Sequence, residues 1–348
     1  MTLHWAVFLT RDTPTWFPFM HSRYEECVEI AKGLHFPGAS TTDNTALFVL
    51  IPAVAKVLHV SVAAAYDLTM GSLLVLSTLI GALAVRKWTL RIIFYFFAAV
   101  GITAIASDVY AFQTFPAIAG IPWLVRLAKD GKHFAIIALA VALAAGFCDL
   151  MRFRCGIAYI AMVVIMVFAC FPKIKAAVLT VAIVCLYFLP GAWFYRIYPL
   201  SHPTWHSIYI GLGWIPNSEV PRYQDEVGLY KVRSIDPSVA YCGPQYEVIL
   251  RGEILRIARH KPWIIAENVL AKLATILLML GALLTPVWKY LRFDLGFIAA
   301  IALGMLPGIL VTPNFRYVLA GLCCACLFAA RTAIWTGPAE SPVDVARA

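Results

Sequence analysis

Long apolar stretches, separated by short polar segments, recur along this chain. A run of about 17–25 mostly apolar residues is long enough to cross roughly 30 Å of hydrocarbon as a helix. Such runs predict nine membrane spans, at residues 62–85, 92–111, 112–127, 134–151, 155–172, 176–195, 263–285, 294–312 and 317–336. A further run at 45–60 is short and carries Lys56 and His59, so it is either a tenth span or an interfacial helix.

The one sizeable hydrophilic segment of the sequence covers residues 196–262. Unstructured loops longer than about 12–15 residues are uncommon unless they are functional. In its second half, residues 245–260, Ile249, Ile254 and Ile257 alternate with charged residues at helical spacing. This pattern predicts an amphipathic helix on the outer membrane surface, preceded by a packed irregular segment rich in Pro, Gly, Trp and Tyr.

Basic residues collect in every second loop of the predicted bundle, and short loops with excess Lys and Arg stay in the cytoplasm. The basic set consists of Arg86, Lys87, Arg91, Arg126, Lys129, Lys132, Lys173, Lys175, Lys289, Arg292, Arg331 and Arg347. This pattern places the C-terminus inside and the segments near residue 108, at 149–154, at 196–262 and at 313–316 outside. If residues 45–60 do not cross, residues 1–61 are also outside; if they do, Glu25 and Glu26 are cytoplasmic.

The composition strengthens the membrane interpretation. Of 348 residues, 61% are hydrophobic and 14% are charged, whereas soluble domains are about 45–50% apolar and about 25% charged. A water-soluble globule, a disordered chain and a small disulfide scaffold are therefore excluded. The net charge of +9 follows largely from the cytoplasmic loops, so no nucleic-acid partner is predicted.

The predicted fold is an all-α polytopic bundle of about nine to ten spans, in which five regions follow one another. They are an external or interfacial segment with acidic residues (1–61), a first bundle of about six spans (62–195), an external loop (196–262), about three C-terminal spans (263–336) and a cytoplasmic tail (337–348).

Ionisable groups near hydrocarbon are costly and mark candidate functional sites. On the predicted outer side these are Glu25, Glu26, Asp108, Arg152, Arg154 and Arg316. Arginine binds phosphate with a planar fork of donors, and a carboxylate can act as a general base. The alternatives are that one of the two arginines of 152–154 only reaches towards the headgroups, and that Asp108 is a solvated helix-end residue.

His202 and His206 are four residues apart, a spacing that suits either two metal ligands on one helix face or a packing role. Pro203 and the lack of a nearby third ligand favour packing or hydrogen bonding, so no metal site is predicted and no cofactor is assigned. Within the spans, Asp67, Glu267 and Lys272 are unusual, and Glu267 and Lys272 are expected to contact a neighbouring helix or the headgroups. Cys27 and Cys242 are both predicted to be external, and whether they pair stays open.

Several segments resemble the membrane-embedded GT-C glycosyltransferases, especially protein mannosyltransferases and lipid A aminoarabinose transferases. Residues 24–34 resemble the family's acidic external segment, and residues 46–58 resemble the apolar stretch that follows it. Residues 108–123, which include Phe115-Pro116 and Gly120-Ile121-Pro122-Trp123, resemble an external acidic turn between early spans. Residues 145–154 resemble a glycine-containing helix that ends in an external arginine, and Asn314-Phe315-Arg316-Tyr317 resembles the late arginine–tyrosine motif.

The resemblance implies a transferase of the bacterial inner membrane that works on its periplasmic face. Its donor would be a polyprenyl-phosphate-linked sugar, and its acceptor a glycan, a lipid or a protein. Arg152, Arg154, Arg316 and Tyr317 would hold the carrier phosphate. Glu25 or Glu26, with Asp108 as a competitor, would activate the acceptor.

The loop at 196–262 would cover the site, with sugar contacts from His202, Trp205, His206 and Tyr209. The alternative is that its aromatic residues only anchor the loop at the headgroups.

Two other functional classes stay open for this chain. An O-antigen ligase or polymerase-like enzyme would need His202 or His206 but not the N-terminal glutamates. A transporter or flippase would need a polar pathway across the membrane.

Overall fold

A computed structural model describes residues 45–85, 88, 91, 112, 114–128, 130–151, 156–197, 204–241, 243–284, 295–314 and 317–324. This part of the chain is helical and contains no strand. The prediction of an α-helical membrane protein is confirmed at this level.

The described helices are α1 (Thr45–Leu58), α2 (Val62–Ala84), α3 (Phe115–Arg126), α4 (Gly131–Met151), α5 (Ile157–Cys170), α6 (Lys173–Ile197), α7 (Thr204–Gly211), α8 (Asp225–Ile235), α9 (Pro244–His260), α10 (Pro262–Leu284) and α11 (Leu295–Leu310). Residues 317–324 are also helical.

Four of these helices contain segments that are long and apolar enough to cross a membrane: Ala64–Ala84, Gly131–Met151, Lys173–Phe194 and Pro262–Gly281. At the predicted spans 112–127 and 155–172 the helices have only 12 and 14 residues. At 1.5 Å per residue they extend about 18 and 21 Å, less than the hydrocarbon thickness. The predicted span 92–111 lies outside the described residues.

The membrane bundle is centred on α4, which packs against α3, α5 and α6. Its small residues permit close approach: a Cβ on Gly120 would collide with Val141, and a Cβ on Gly146 would collide with the Tyr187 carbonyl. The short α3 is nearly enclosed, since most of its residues are buried. Protein contacts rather than lipid therefore cover most of this apolar helix.

The described basic residues of the early loops lie at one end of the bundle. Arg126 donates to the Leu83 carbonyl in the last turn of α2, and Arg91 donates to the carbonyl of Val85, the residue that caps this helix. Positive charge at this position complements the helix dipole. The start of α4 reaches the same end as the next basic loop, because the Phe134 and Phe171 rings are 5.7 Å apart. This grouping agrees with the alternation of basic loops in the sequence.

At the N-terminal side of the described chain, α1 packs against α2 and α4. Ile51 and Ala55 are buried, while Val57 and Leu58 are exposed. A helix of 14 residues extends about 21 Å, less than a full crossing.

The hydrophilic segment forms a helical layer, consisting of residues 204–261. Its first half contains α7 and α8, where an irregular segment was predicted. Helix α9 lies within one residue of the predicted limits, and it buries Tyr246, Leu250, Ile254 and Ile257 in the layer's own core. Packing within the protein, rather than insertion into the membrane, therefore accounts for its apolar side.

Candidate functional site

A buried imidazole, that of His206, lies among polar side chains of the layer and is 4% exposed. Its Nδ1 lies 2.8 Å from the Tyr246 hydroxyl, and its Nε2 lies 3.3 Å from Oδ1 of Asp225. The Tyr241 hydroxyl lies 3.5 Å from the same Nε2. These four residues, called the His206 cluster below, join α7, α8, α9 and the segment before α9.

The cluster runs from the layer's core to its surface. The Asp225 side chain is 72% exposed and the His206 side chain only 5%, and Tyr246 is completely buried. The hydrogen bond with His206 lowers the pKa of Asp225, against a smaller effect of burial, so this carboxylate is ionised at neutral pH. The consistent arrangement has Tyr246 donating to Nδ1 and the Nε2 proton of His206 donating to Asp225.

A glycine allows α8 to pack directly over the imidazole. A Cβ on Gly228 would come within 2.7 Å of His206 Nδ1 and 3.0 Å of the Tyr246 hydroxyl. The rings of His206, Tyr241 and Tyr246 also contact one another, with centroids 5.4–5.7 Å apart. The imidazole is thus fixed by hydrogen bonds at both nitrogens and by aromatic packing around it.

The short helix α7, which carries His206, is capped at both ends by side chains from elsewhere. At its start the Glu247 carboxylate accepts from the backbone amides of Trp205 (2.7 Å) and His206 (3.1 Å). At its end the buried ammonium of Lys272 donates to the Gly211 carbonyl at 2.7 Å. Both charges match the helix dipole, negative at the N-terminus and positive at the C-terminus.

The N-terminal cap is also a site of opposed electrostatic effects. Burial raises the pKa of Glu247, while the amide hydrogen bonds from Trp205 and His206 act to lower it. The net direction is upward, so the cap holds its negative charge less readily than a free glutamate. Orientation of α7 therefore depends on a partly desolvated carboxylate.

The layer meets the membrane helices at the C-terminus of α7. A Cβ on Gly211 would lie 2.7 Å from the carbonyl oxygens of both Leu310 and Val311, so the two backbones touch. Nearby, the Asn268 side chain accepts from the Ile215 amide at 3.2 Å. The turn that follows α11 and precedes Tyr317 is consequently in direct contact with the layer.

A second polar group, the Glu219 network, ties the layer together away from His206. Glu219 accepts from Arg256 and from Lys261, the latter at 2.6 Å, while Glu253 pairs with Lys231 at 2.8 Å and with Arg256. Hydrogen bonds from Lys261 and Arg256 lower the pKa of Glu219 to about 2. All five charges are used in mutual pairing, which indicates a structural role.

A third polar contact lies at the C-terminal end of α4. The Asp149 carboxylate accepts from the Gly156 amide at 2.6 Å and from the Tyr187 hydroxyl. It therefore joins the end of α4 to the start of α5 and to α6.

Most of the site residues predicted from the sequence lie outside the described residues: Glu25, Glu26, Asp108, Arg152, Arg154, His202 and Arg316. Cys27 and Cys242 also lie outside. Tyr317 is described; it is half-buried, and its amide donates to the Asn314 carbonyl at 3.0 Å.

The three described loop residues have packing positions. Tyr209 is 1% exposed and donates to the Glu219 carbonyl at 3.3 Å, and burial, with the nearby Glu253 and Glu219, raises its pKa to about 12. Trp205 is half-buried against the same core. In this arrangement His206 and Tyr209 offer no open ring face for stacking on a sugar, so hydrogen bonding and packing account for them.

The structure also describes the three ionisable residues that lie within predicted spans. Lys272 contacts a neighbouring helix, as expected, through the end of α7. Glu267 is exposed and Asp67 is half-buried. Among the described residues, no group of three or more His, Cys, Asp or Glu side chains is arranged to hold a metal ion.

Sequence reasoning missed the partners that make His206 distinctive. Asp225 is 19 positions from His206 and Tyr246 is 40 positions away, so no local spacing links them. The available signal was indirect: Asp225 and Glu226 form an acidic first turn, which is typical of a helix start.

The fold and its polar sites define an α-helical membrane protein with a folded helical layer at one end of the bundle. Compared with protein-family models, curated proteins and solved structures, the chain has no match. The resemblance to GT-C enzymes therefore rests on the sequence motifs.

Proposed function

We propose that the chain is a membrane glycosyltransferase of the GT-C type, which transfers a sugar from a polyprenyl-phosphate-linked donor to a glycan, lipid or protein acceptor. The reaction would take place at the end of the bundle that carries the layer, on the periplasmic face of a bacterial inner membrane. Arg316, with Arg152 or Arg154, would hold the carrier phosphate and stabilise the charge that grows as the sugar leaves. Glu25, Glu26 or Asp108 would take the proton of the acceptor hydroxyl.

The observation that carries this proposal is the contact between Gly211 and the turn at Leu310 and Val311. It brings the layer against the segment that leads to Arg316 and Tyr317. Helix α4 starts at the basic end, beside Phe171, and runs away from it to Met151, after which Arg152 and Arg154 follow in the sequence. Under this proposal, Arg152 or Arg154, which follow α4 in the sequence, and Arg316, which follows α11, would meet the layer at this end and bind an anionic lipid donor.

The test uses the protein reconstituted in lipid nanodiscs and a panel of radiolabelled polyprenyl-phosphate sugars. We expect Arg316→Ala to lower turnover by about 10²-fold or more, the usual effect of removing a group that stabilises developing negative charge. Arg316→Lys should recover only part of this loss, because an ammonium lacks the guanidinium fork. Arg233→Ala, which removes an exposed arginine of the layer, is the matched control and should leave turnover unchanged.

The base is tested separately with Glu25→Gln, Glu26→Gln and Asp108→Asn. The variant that removes the base should lower kcat with little change in the KM for donor. Equal turnover in these variants and in Arg316→Ala would refute the proposed site.

A second candidate, a ligase or polymerase-like enzyme that transfers a whole lipid-linked glycan, is favoured by one observation. His206 is held between a buried hydroxyl and an exposed, ionised carboxylate, an arrangement suited to proton transfer. In that case His206→Gln should abolish transfer while Glu25→Gln and Glu26→Gln remain active. The opposite result would support the first candidate.

A further inference from the structure

Helix α9 uses its two sides differently. Its carboxylates turn into the layer, where Glu247 caps α7 and Glu253 pairs with Lys231. Its other side is exposed and carries, at spacings of three or four residues, Val248, Arg251, Leu255 and Arg259. These four residues, called the outer face of α9 below, lie on one side of the helix.

The outer face is open and positively charged. Val248 and Leu255 are 57% and 46% exposed, and a Cβ on the intervening Gly252 would meet nothing within 4 Å. Over the part of the chain that the structure describes, neither Arg251 nor Arg259 makes an ion pair. The carboxylates of Glu247 and Glu253 thus have partners within the layer, while two arginines and two large apolar side chains of α9 are exposed on its other side.

The outer face of α9 is followed in the chain by a membrane helix that also has an exposed apolar side. Only Lys261, where the helical backbone is interrupted, separates α9 from α10. Along α10, exposed residues recur at steps of seven, at Trp263, Leu270 and Leu277. Trp263, 60% exposed at the start of α10, is typical of the boundary between headgroups and hydrocarbon. The outer face of α9 is therefore next to the bilayer surface.

We propose that the outer face of α9 lies in the headgroup layer and binds anionic phospholipids of the surrounding membrane. Each guanidinium can bind a lipid phosphate through two parallel hydrogen bonds. Val248 and Leu255 enter the boundary with the acyl chains, as in interfacial helices. The side that contacts lipid is thus opposite to the isoleucine side on which the sequence-based expectation of a surface helix rested.

The spacing of the arginines fixes how α9 must lie. Arg251 and Arg259 are eight positions apart, or about 12 Å along the axis, whereas one headgroup layer is about 5–8 Å thick. With both guanidinium groups in this layer, α9 lies within about 25–40° of the membrane plane. The layer is then held against the membrane through α9 as well as through α10.

The proposal is tested by photo-crosslinking of the full chain in nanodiscs of phosphatidylcholine and phosphatidylglycerol. Benzoylphenylalanine is placed at position 248 or 255, and at 230 or 235 as controls, since Tyr230 and Ile235 of α8 are similarly exposed. We expect lipid adducts at 248 and 255, enriched in phosphatidylglycerol, and few at 230 and 235. Equal lipid labelling at all four positions, or adducts with protein instead of lipid, would overturn the proposal.

The charge contribution is measured in the same experiment. Each of Arg251→Gln and Arg259→Gln should lower the preference for phosphatidylglycerol by about five-fold, the effect of about 1 kcal/mol per basic residue near the surface. The paired control, Arg222→Gln with Arg233→Gln, removes two exposed arginines elsewhere in the layer and should preserve it. Hydrogen-exchange protection of α7 should stay at the wild-type level in each variant, which shows that the layer is folded. A folded variant that keeps the full preference for phosphatidylglycerol would refute the lipid contact of that arginine. No glycosyl transfer is measured, so this outcome is independent of the proposed enzymatic activity.

Discussion

Removing a single oxygen, in Tyr246→Phe, tests whether the His206 cluster holds the layer together. Tyr246 is completely buried and its hydroxyl lies 2.8 Å from Nδ1 of His206. The substitution keeps the ring and its packing but leaves a buried imidazole nitrogen without this partner. An unsatisfied buried polar group costs about 1–3 kcal/mol, so the layer should be destabilised by this amount.

Hydrogen–deuterium exchange measures the effect where it arises. When exchange follows local opening, a loss of about 1–3 kcal/mol speeds it by a factor of roughly 5 to 150. We expect this acceleration in peptides covering α7, α8 and α9. Peptides from α4 and α5, which belong to the membrane bundle, should be unchanged and serve as the internal reference.

Tyr230→Phe is the matched control, because Tyr230 is 64% exposed on α8 and exposed substitutions usually change stability by less than about 0.5 kcal/mol. If Tyr246→Phe exchanges no faster than Tyr230→Phe in α7 and α9, the hydrogen bond to His206 contributes nothing to the layer. The reasoning from burial and distance would then be refuted.

Three further changes probe the same layer by hydrogen exchange. Gly228→Ala places a Cβ within 2.7 Å of His206 Nδ1 and should cost about 1–3 kcal/mol by overpacking; unchanged exchange in α8 would contradict the close contact. Lys272→Met removes the bond to the Gly211 carbonyl and should accelerate exchange at the end of α7, while the neighbouring exposed Glu267→Gln has no such effect. Because the pKa of Glu219 is lowered to about 2, its pairing contributes stability above the ordinary glutamate pKa, and this contribution is lost as pH falls from about 4.5 to about 2. Glu219→Gln should therefore flatten the acid dependence of layer exchange, and an identical acid profile in wild type and variant would contradict this assignment.

The two ends of α7 link the layer to the membrane helices. Glu247 belongs to the layer, whereas Lys272 belongs to α10. Helix α7, which carries His206, is thus held between a side chain of α9 and a side chain of α10.

The membrane helices were largely predictable because hydrophobicity is a one-dimensional signal. An apolar run identifies a helix, whatever it packs against, and α2, α4, α6 and α10 follow the predicted spans within three residues at most ends. The predicted lengths of two spans differ from those of the helices in the structure. The predicted crossings at 112–127 and 155–172 are helices of 12 and 14 residues, since buried helices can be apolar without spanning a bilayer.

The sequence also predicted helix α9 and singled out His206 as a candidate site or packing residue. It did not show which residues either of them contacts. Helical periodicity shows that a helix has two sides, yet it does not tell whether lipid or protein covers the apolar side. Ile254 and Ile257 face the layer's core, and the side with Arg251 and Leu255 is left open.

The sequence by itself therefore determined the class of protein and its four long apolar helices, because each is encoded in neighbouring residues. Only the tertiary structure decided that His206 lies between Asp225 and Tyr246, and that Lys272 reaches Gly211 across 61 positions. The physical reason is that a buried polar group needs a partner, but hydrogen bonds act over about 3 Å in space, without regard to separation along the chain. Folding alone brings such partners together.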